Sequence, residues 1–115
     1  MDVMLIQIVD DNANMRKTIK SVFGGLQADF IESSDGDEAV RQYALRRPDL
    51  VIMDIKMQRI DGIAATRAIR GESPGARVVI ITQYNDDQLR AAAREAGAFA
   101  YVLKDDLSVL PGLLR

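Results

Sequence analysis

The stretch Val51-Ile52-Met53-Asp54 decides the fold, because it is a short, wholly apolar run that ends on a carboxylate. Such a run is typical of a strand buried on both faces of a parallel sheet. Three similar runs, residues 5–9, 78–81 and 99–103, end next to polar residues: Asp10 and Asp11, then Thr82, then Lys104. Ligands of open parallel sheets bind at the carboxyl ends of the strands. The sequence therefore predicts one site that contains all of these side chains.

The intervals between the runs carry helical patterns. Apolar residues recur at helical spacing within residues 13–23, 37–47, 63–69 and 87–96, and a last helix is predicted from about Ser108. A second, more polar strand is predicted over residues 26–31. Strands that alternate with helices imply right-handed crossovers, a parallel sheet and helices on both of its faces. The fold class is therefore α/β, doubly wound, with five strands and five helices.

Composition excludes several classes of function. The 115 residues fit one domain, 1–115, and a net charge of −2 argues against direct binding of nucleic acid. The chain has no cysteine and no histidine, so its chemistry must use carboxylates, hydroxyls and lysine. No apolar stretch approaches the roughly 20 residues of a membrane span, and no secretory signal pattern is present. We expect a cytoplasmic protein that does not bind a membrane.

Taken in order, these motifs resemble the receiver domain of the two-component response regulators, over essentially the whole chain. The residues that carry the resemblance are Ile8-Val9-Asp10-Asp11-Asn12, residues 48–57 with Asp61-Gly62, Val79-Ile80-Ile81-Thr82, Gly97-Ala98 and Tyr101-Val102-Leu103-Lys104. The resemblance implies a flavodoxin-like sheet with the strand order 2-1-3-4-5. The ending Leu103-Lys104-Asp105 is similar to the subfamily whose members often carry a helix-turn-helix output domain.

The resemblance also assigns a role to each site residue. Asp54 is implied as the phosphoacceptor, and carboxylates do form covalent phosphoryl intermediates. Mg²⁺ is the implied cofactor, and it favours hard oxygen ligands. Asp11, Asp54 and the backbone carbonyl of Lys56 are its implied direct ligands, whereas Asp10 binds it through water or orients the site.

The remaining implied residues respond to the phosphoryl group. Lys104 pairs with its oxygens, Thr82 donates a hydrogen bond to it, and Tyr101 is the switch aromatic that moves inward when Thr82 is drawn to the phosphate.

The implied partner is a sensor histidine kinase or a phosphotransfer protein, which meets the surface formed by Asn12, Asn14, Met15 and Thr18. The implied function is a phosphorylation-dependent signalling switch that is not an enzyme beyond catalysing its own phosphorylation and dephosphorylation. A homodimer and a DNA-binding output domain outside this chain are both compatible with the resemblance. The chain departs from the family pattern at Gln58, where proline is usual, and at Gln83, where a small residue is common.

Other interpretations stay open at this point. The chain could be an interaction module of the same fold that works without phosphorylation, although such modules usually lack the acidic pair, the acceptor or the lysine. A free-standing Mg²⁺-dependent phosphatase or nucleotide-binding protein is a third reading, but no phosphate-binding glycine loop is present. Locally, Asp10-Asp11 could instead cap the first helix. Arg90 and Arg94 are predicted to form a solvated helix face, with partner contact as the alternative.

Overall fold

The computed structural model describes residues 3–56 and 61–114. Within them a five-stranded parallel sheet has the order β2-β1-β3-β4-β5, as predicted. The strands are β1 (Met4–Val9), β2 (Ala28–Ser33), β3 (Leu50–Asp54), β4 (Val78–Thr82) and β5 (Ala100–Leu103). The helices are α1 (Ala13–Val22), α2 (Gly36–Arg46), α3 (Gly62–Glu72), α4 (Asp87–Glu95) and a C-terminal 3₁₀ helix (Lys104–Leu114).

Two elements differ from the sequence prediction. The second strand covers residues 28–33 rather than 26–31, because a polar edge strand with alternating exposure gives a weak apolar signal. The last helix begins at Lys104 rather than near Ser108, and it is a 3₁₀ helix with non-helical dihedral angles at Asp106. Pro111 lies inside this helix, where its missing amide hydrogen and fixed ring disfavour a regular α-helix.

The apolar side chains form one layer on each face of the sheet. On one face, β3 and β4 pack against α2, α3 and α4 through residues such as Met53, Ile69 and Ala93. On the other face, Ile19 of α1 and Leu110 of the 3₁₀ helix cover Ile52 and neighbouring residues. Every residue of β3 and β4 is buried, as a central parallel strand requires. The sheet is therefore doubly wound, as predicted.

No helix within residues 3–56 and 61–114 is both long and apolar enough to cross a membrane.

Candidate functional site

Parallel register brings the predicted polar residues to one edge of the sheet. Val9 pairs with Met53, and Asp54 pairs with Ile81, so the ends of the three central strands are level. The side chains beyond these ends line one cleft of about 480 Å³. Its lining includes Asp10, Asp11, Asp54, Lys56, Thr82 and Lys104, together with the predicted α1 surface residues Asn12, Asn14, Met15 and Thr18.

Three carboxylates gather at the floor of this cleft. One oxygen from each of Asp10, Asp11 and Asp54 lies within 4.8 Å of the others. Asp10 is 1% exposed and Asp54 is 6% exposed, whereas Asp11 faces solvent. Burial, reinforced by the neighbouring Asp10 charge, raises the pKa of Asp54 from 3.8 to about 6. The buried carboxylate is therefore held in an environment that favours a nearby cation.

Lys104 supplies one positive charge to this cluster. Its ammonium nitrogen lies 3.3 Å from an oxygen of Asp10 and 3.3 Å from an oxygen of Asp54. Burial lowers the pKa of Lys104, but the charges of Asp54 and Asp10 outweigh this effect and leave the pKa above its usual value. A single ammonium does not balance three carboxylates, so the cluster keeps a net negative charge. This charge, together with the carboxylate oxygens, favours a divalent cation that prefers oxygen ligands.

The loop between β1 and α1 shows that the acidic pair does not cap the helix. The N-cap of α1 is Asn12, whose side-chain oxygen accepts a hydrogen bond from the Met15 amide at 3.0 Å. An Asp10 oxygen instead accepts from the Asn12 amide at 2.9 Å. The capping interpretation of Asp10 and Asp11 was therefore wrong, and both carboxylates line the cleft.

Arg16 is a residue at this site that the sequence reasoning missed. Its guanidinium donates to the Asp10 backbone carbonyl at 2.6 Å and to the Glu32 carboxylate at 2.9 Å. Lys20 approaches the second oxygen of Glu32 at 2.7 Å, and these two cations lower the pKa of Glu32. The end of β1 is thus tied to α1 and β2. Only the three-dimensional proximity of residues 10, 16 and 32 reveals this link.

A second missed residue, Gly62, lies beneath Asp54. The Gly62 amide donates to the Ile55 carbonyl at 2.9 Å, which starts α3 directly against the end of β3. A side chain at position 62 would collide with the backbone carbonyl of Asp54. The Asp61-Gly62 pair was noted only as part of a motif. The close approach of the two backbones explains why glycine is needed there.

Thr82 and Tyr101 are connected through the backbone of one residue. The Tyr84 amide donates to the Thr82 hydroxyl at 3.2 Å, and the Tyr101 hydroxyl donates to the Tyr84 carbonyl at 2.7 Å. Burial raises the pKa of Tyr101, and the neighbouring Thr82 hydroxyl is among the groups that offset this. A displacement of the Thr82 hydroxyl would therefore reach Tyr101 through the loop of residues 83–86.

The Tyr84 side chain faces the cleft and closes part of its rim. Its hydroxyl accepts from the Lys56 ammonium at 3.2 Å and from the Gln83 amide at 2.9 Å, and both contacts lower the pKa of Tyr84. The Lys56 nitrogen is also 4.5 Å from the centre of the Tyr84 ring. The rim therefore joins the segment after β3 to the segment after β4. Met57 and Gln58, noted in the sequence, lie outside the described residues.

Comparison with known proteins identifies the fold and the family together. The family model described as "Response regulator receiver domain" matches residues 6–113. An uncharacterized transcriptional regulatory protein of Bacillus subtilis, YhcZ, is 37% identical over 105 residues, which are 89% of this chain and 49% of that protein. The transcriptional regulatory protein PdtaR of Mycobacterium tuberculosis is 38% identical over 100 residues, with coverages of 86% and 48%. The chain thus spans about half the length of these relatives.

Solved structures that match nearly the whole length of this chain include the following two. A LuxR-family two-component response regulator from Aurantimonas is 30% identical with a TM-score of 0.87, covering 98% of this chain and 86% of that one. The CheX–CheY complex with BeF3 and Mg from Borrelia burgdorferi contains a chain that is 28% identical with a TM-score of 0.87, with coverages of 95% and 84%. With its sheet order, its acidic cleft and these matches, the chain belongs to the receiver domains of two-component response regulators.

Proposed function

We propose that this chain is a phosphorylation-dependent signalling switch that accepts a phosphoryl group on Asp54 from a phosphohistidine. The observation that carries the proposal is the buried Asp54 carboxylate, which lies beside two other carboxylates and 3.3 Å from the Lys104 ammonium. A carboxylate oxygen of Asp54 attacks phosphorus, the phosphorus–nitrogen bond of the donor breaks, and its electron pair leaves with the imidazole. The product is an acyl phosphate on Asp54.

Phosphoryl transfer depends mainly on positioning and on neutralising charge. Mg²⁺ is the proposed cofactor, with Asp10, Asp11, Asp54 and the Lys56 carbonyl as its protein ligands, and when bound it neutralises charge on the carboxylates and the phosphoryl oxygens. Lys104 pairs with the same oxygens once they reach Asp54. The acid cluster fits such a hard cation because all of its side-chain ligands are carboxylates.

The response to phosphorylation runs through Thr82. When its hydroxyl turns to a phosphoryl oxygen, it gives up the hydrogen bond from the Tyr84 amide, and the inward position of the Tyr101 ring, in which the Tyr101 hydroxyl donates to the Tyr84 carbonyl, is favoured. The packing between α4 and β5 then changes, and with it the affinity of this surface for a partner.

The proposed donor is a sensor histidine kinase or a phosphotransfer protein, docking on the α1 surface that borders the cleft. The curated relatives are named transcriptional regulators, and the chain spans about half of their length. We therefore propose that this domain, residues 1–115, works in the cytoplasm with a DNA-binding output domain elsewhere in its protein. Homodimer formation on phosphorylation is compatible with this arrangement.

The test is covalent labelling with acetyl phosphate, followed by intact mass spectrometry, together with beryllofluoride binding. We expect one phosphoryl group on the wild type in the presence of Mg²⁺, little without it, and none on Asp54→Asn. Asp29→Asn is a matched control, because Asp29 is an exposed carboxylate on β2 away from the cleft. Labelling that persists in Asp54→Asn, or a wild type that neither is labelled nor binds beryllofluoride, would refute the proposal. The second result would favour a phosphorylation-independent interaction module.

A further inference from the structure

Arg90 contacts the switch aromatic directly, although the sequence placed it on a solvated helix face. The carbon of its guanidinium group lies 4.4 Å from the centre of the Tyr101 ring, a distance typical of a cation–π contact. A guanidinium nitrogen also donates to the side-chain oxygen of Asn85 at 2.9 Å. Arg90 thus joins the ring of Tyr101 to the loop between β4 and α4.

Tyr101 is consequently held at two points, by the loop between β4 and α4 and by Arg90 of α4. Its hydroxyl donates to the Tyr84 carbonyl at 2.7 Å, and its ring face is covered by a guanidinium that is bonded to the next residue, Asn85. The Tyr101 ring is only partly buried, so apolar packing alone fixes it weakly. The cation contributes a directional contact at the exposed ring face.

Arg94 shows that these contacts depend on position along the helix. It lies one turn further along α4, carries the same charge and is exposed. In the described part of the chain its side chain makes no hydrogen bond, ion pair or ring contact. The two arginines therefore differ in what they touch, although the helical spacing alone made them look equivalent.

We propose that Arg90 is a positioning residue for Tyr101, which it holds against the loop of residues 83–86, and that this hold raises the affinity of the Asp54 site for a phosphoryl group. The inference rests on the proposed function. In that function phosphorylation favours the inward position of Tyr101, and here the hydrogen bond to the Tyr84 carbonyl and the contact with Arg90 hold the ring in that position. Conformation and ligand binding are thermodynamically linked. A contact that stabilises the conformation with the higher affinity for a ligand therefore raises the apparent affinity for that ligand.

The first experiment uses the free protein, in which 3-fluorotyrosine replaces the three tyrosines. The ¹⁹F signal of Tyr101 is assigned with Tyr101→Phe. We expect this signal to shift and to broaden in Arg90→Ala, because the ring samples further orientations. It should be unchanged in Arg94→Ala and largely restored in Arg90→Lys, which keeps a cation near the ring. An unchanged signal in Arg90→Ala, or an equal change in Arg94→Ala, would overturn the positioning role.

The second experiment measures beryllofluoride binding with Mg²⁺ present, read from the ¹⁹F spectra of the same variants. Arg90→Ala should bind beryllofluoride about two- to fivefold more weakly than the wild type, the change expected from losing one exposed cation–π contact. Arg94→Ala should match the wild type. Unchanged or tighter binding in Arg90→Ala would overturn the coupling to the site. A wild type that binds no beryllofluoride refutes the proposed function instead, and the spectra of the free protein still decide whether Arg90 positions Tyr101.

Discussion

The Lys104 ammonium lies 3.3 Å from a carboxylate oxygen of Asp54, so a lysine from the end of β5 faces a carboxylate from the end of β3. The same nitrogen is 3.3 Å from Asp10. In the proposed function this lysine has two effects that oppose each other. It competes with a divalent cation for the carboxylates, and it offers a donor to an incoming phosphoryl group.

Lys104→Gln separates these two effects. At about pH 8, where Asp54 is ionised, Mg²⁺ should bind a few-fold more tightly, because one competing positive charge is removed. Beryllofluoride should bind at least about tenfold more weakly, because a charge-assisted hydrogen bond is lost. Calorimetry of each ligand measures both changes. Lys17→Gln, which removes an exposed lysine from α1, is the control. Weaker Mg²⁺ binding in Lys104→Gln would contradict the competition.

The raised pKa of Asp54 predicts that Mg²⁺ affinity depends on pH. Because this pKa is about 6, a proton competes with the cation below that value. Apparent affinity should fall about tenfold between about pH 8 and about pH 5, through the protonation of a single group. The measurement is a titration by NMR at several pH values. An affinity that is constant across this interval would show that Asp54 is not a ligand or that its pKa is not raised.

The same pKa predicts a change in stability. The folded state holds the Asp54 proton up to about pH 6, whereas the unfolded state releases it near pH 3.8. The free energy of unfolding should therefore fall, by at most about 3 kcal/mol, as the pH rises between these two values. Asp54→Asn removes this effect, so it should be more stable than the wild type by about 1–3 kcal/mol at neutral pH without divalent cations.

Urea unfolding in the presence of a chelator measures this difference. Mg²⁺ should stabilise the wild type and have a much smaller effect on Asp54→Asn, because ligand binding to the folded state raises its stability. If Asp54→Asn were less stable than the wild type at neutral pH, the ionised Asp54 would be a net source of stability, contrary to the prediction.

The contact between Lys56 and Tyr84 predicts the lifetime of the phosphoryl group on Asp54. Together with Gln83, the pair lines the rim of the cleft, where it would restrict the approach of water to a phosphoryl group on Asp54. Lys56→Ala and Tyr84→Ala should lose phosphate about two- to fivefold faster, if the contact holds the rim closed. Lys17→Ala serves as the control. The measurement follows the decay of the labelled species by mass spectrometry. Unchanged or slower decay in both rim variants would rule out shielding.

The start of α3 predicts opposite effects for two glycines of one helix. Gly62→Ala should destabilise the protein by about 1–3 kcal/mol, because the new side chain collides with the backbone carbonyl of Asp54. Gly71→Ala should stabilise it by about 0.5–1 kcal/mol, since position 71 is exposed and has open space. Thermal unfolding of both variants measures the changes. Equal changes in stability for the two variants would mean that the backbone near Asp54 moves to accommodate the new side chain at little cost.

The sequence predicted the strands that carry the site, because β3 and β4 are apolar on both faces and end on a polar residue, and the mostly apolar β1 is followed directly by Asp10. It misplaced β2 by two residues, since half of that strand faces solvent. It also missed Arg16 and read Arg90 as solvated. Each of these two arginines contacts a residue from another element, and helical periodicity describes only the face on which a residue lies.

The side chain and the main chain of Tyr84 make different connections in this site. The Tyr84 phenol contacts Lys56 and Gln83 at the rim, whereas its amide and carbonyl connect Thr82 to Tyr101. Any amino acid except proline supplies the same amide and carbonyl. In the proposed function, a substitution at this position would therefore change the lifetime of the phosphoryl group and leave the connection between Thr82 and Tyr101 in place.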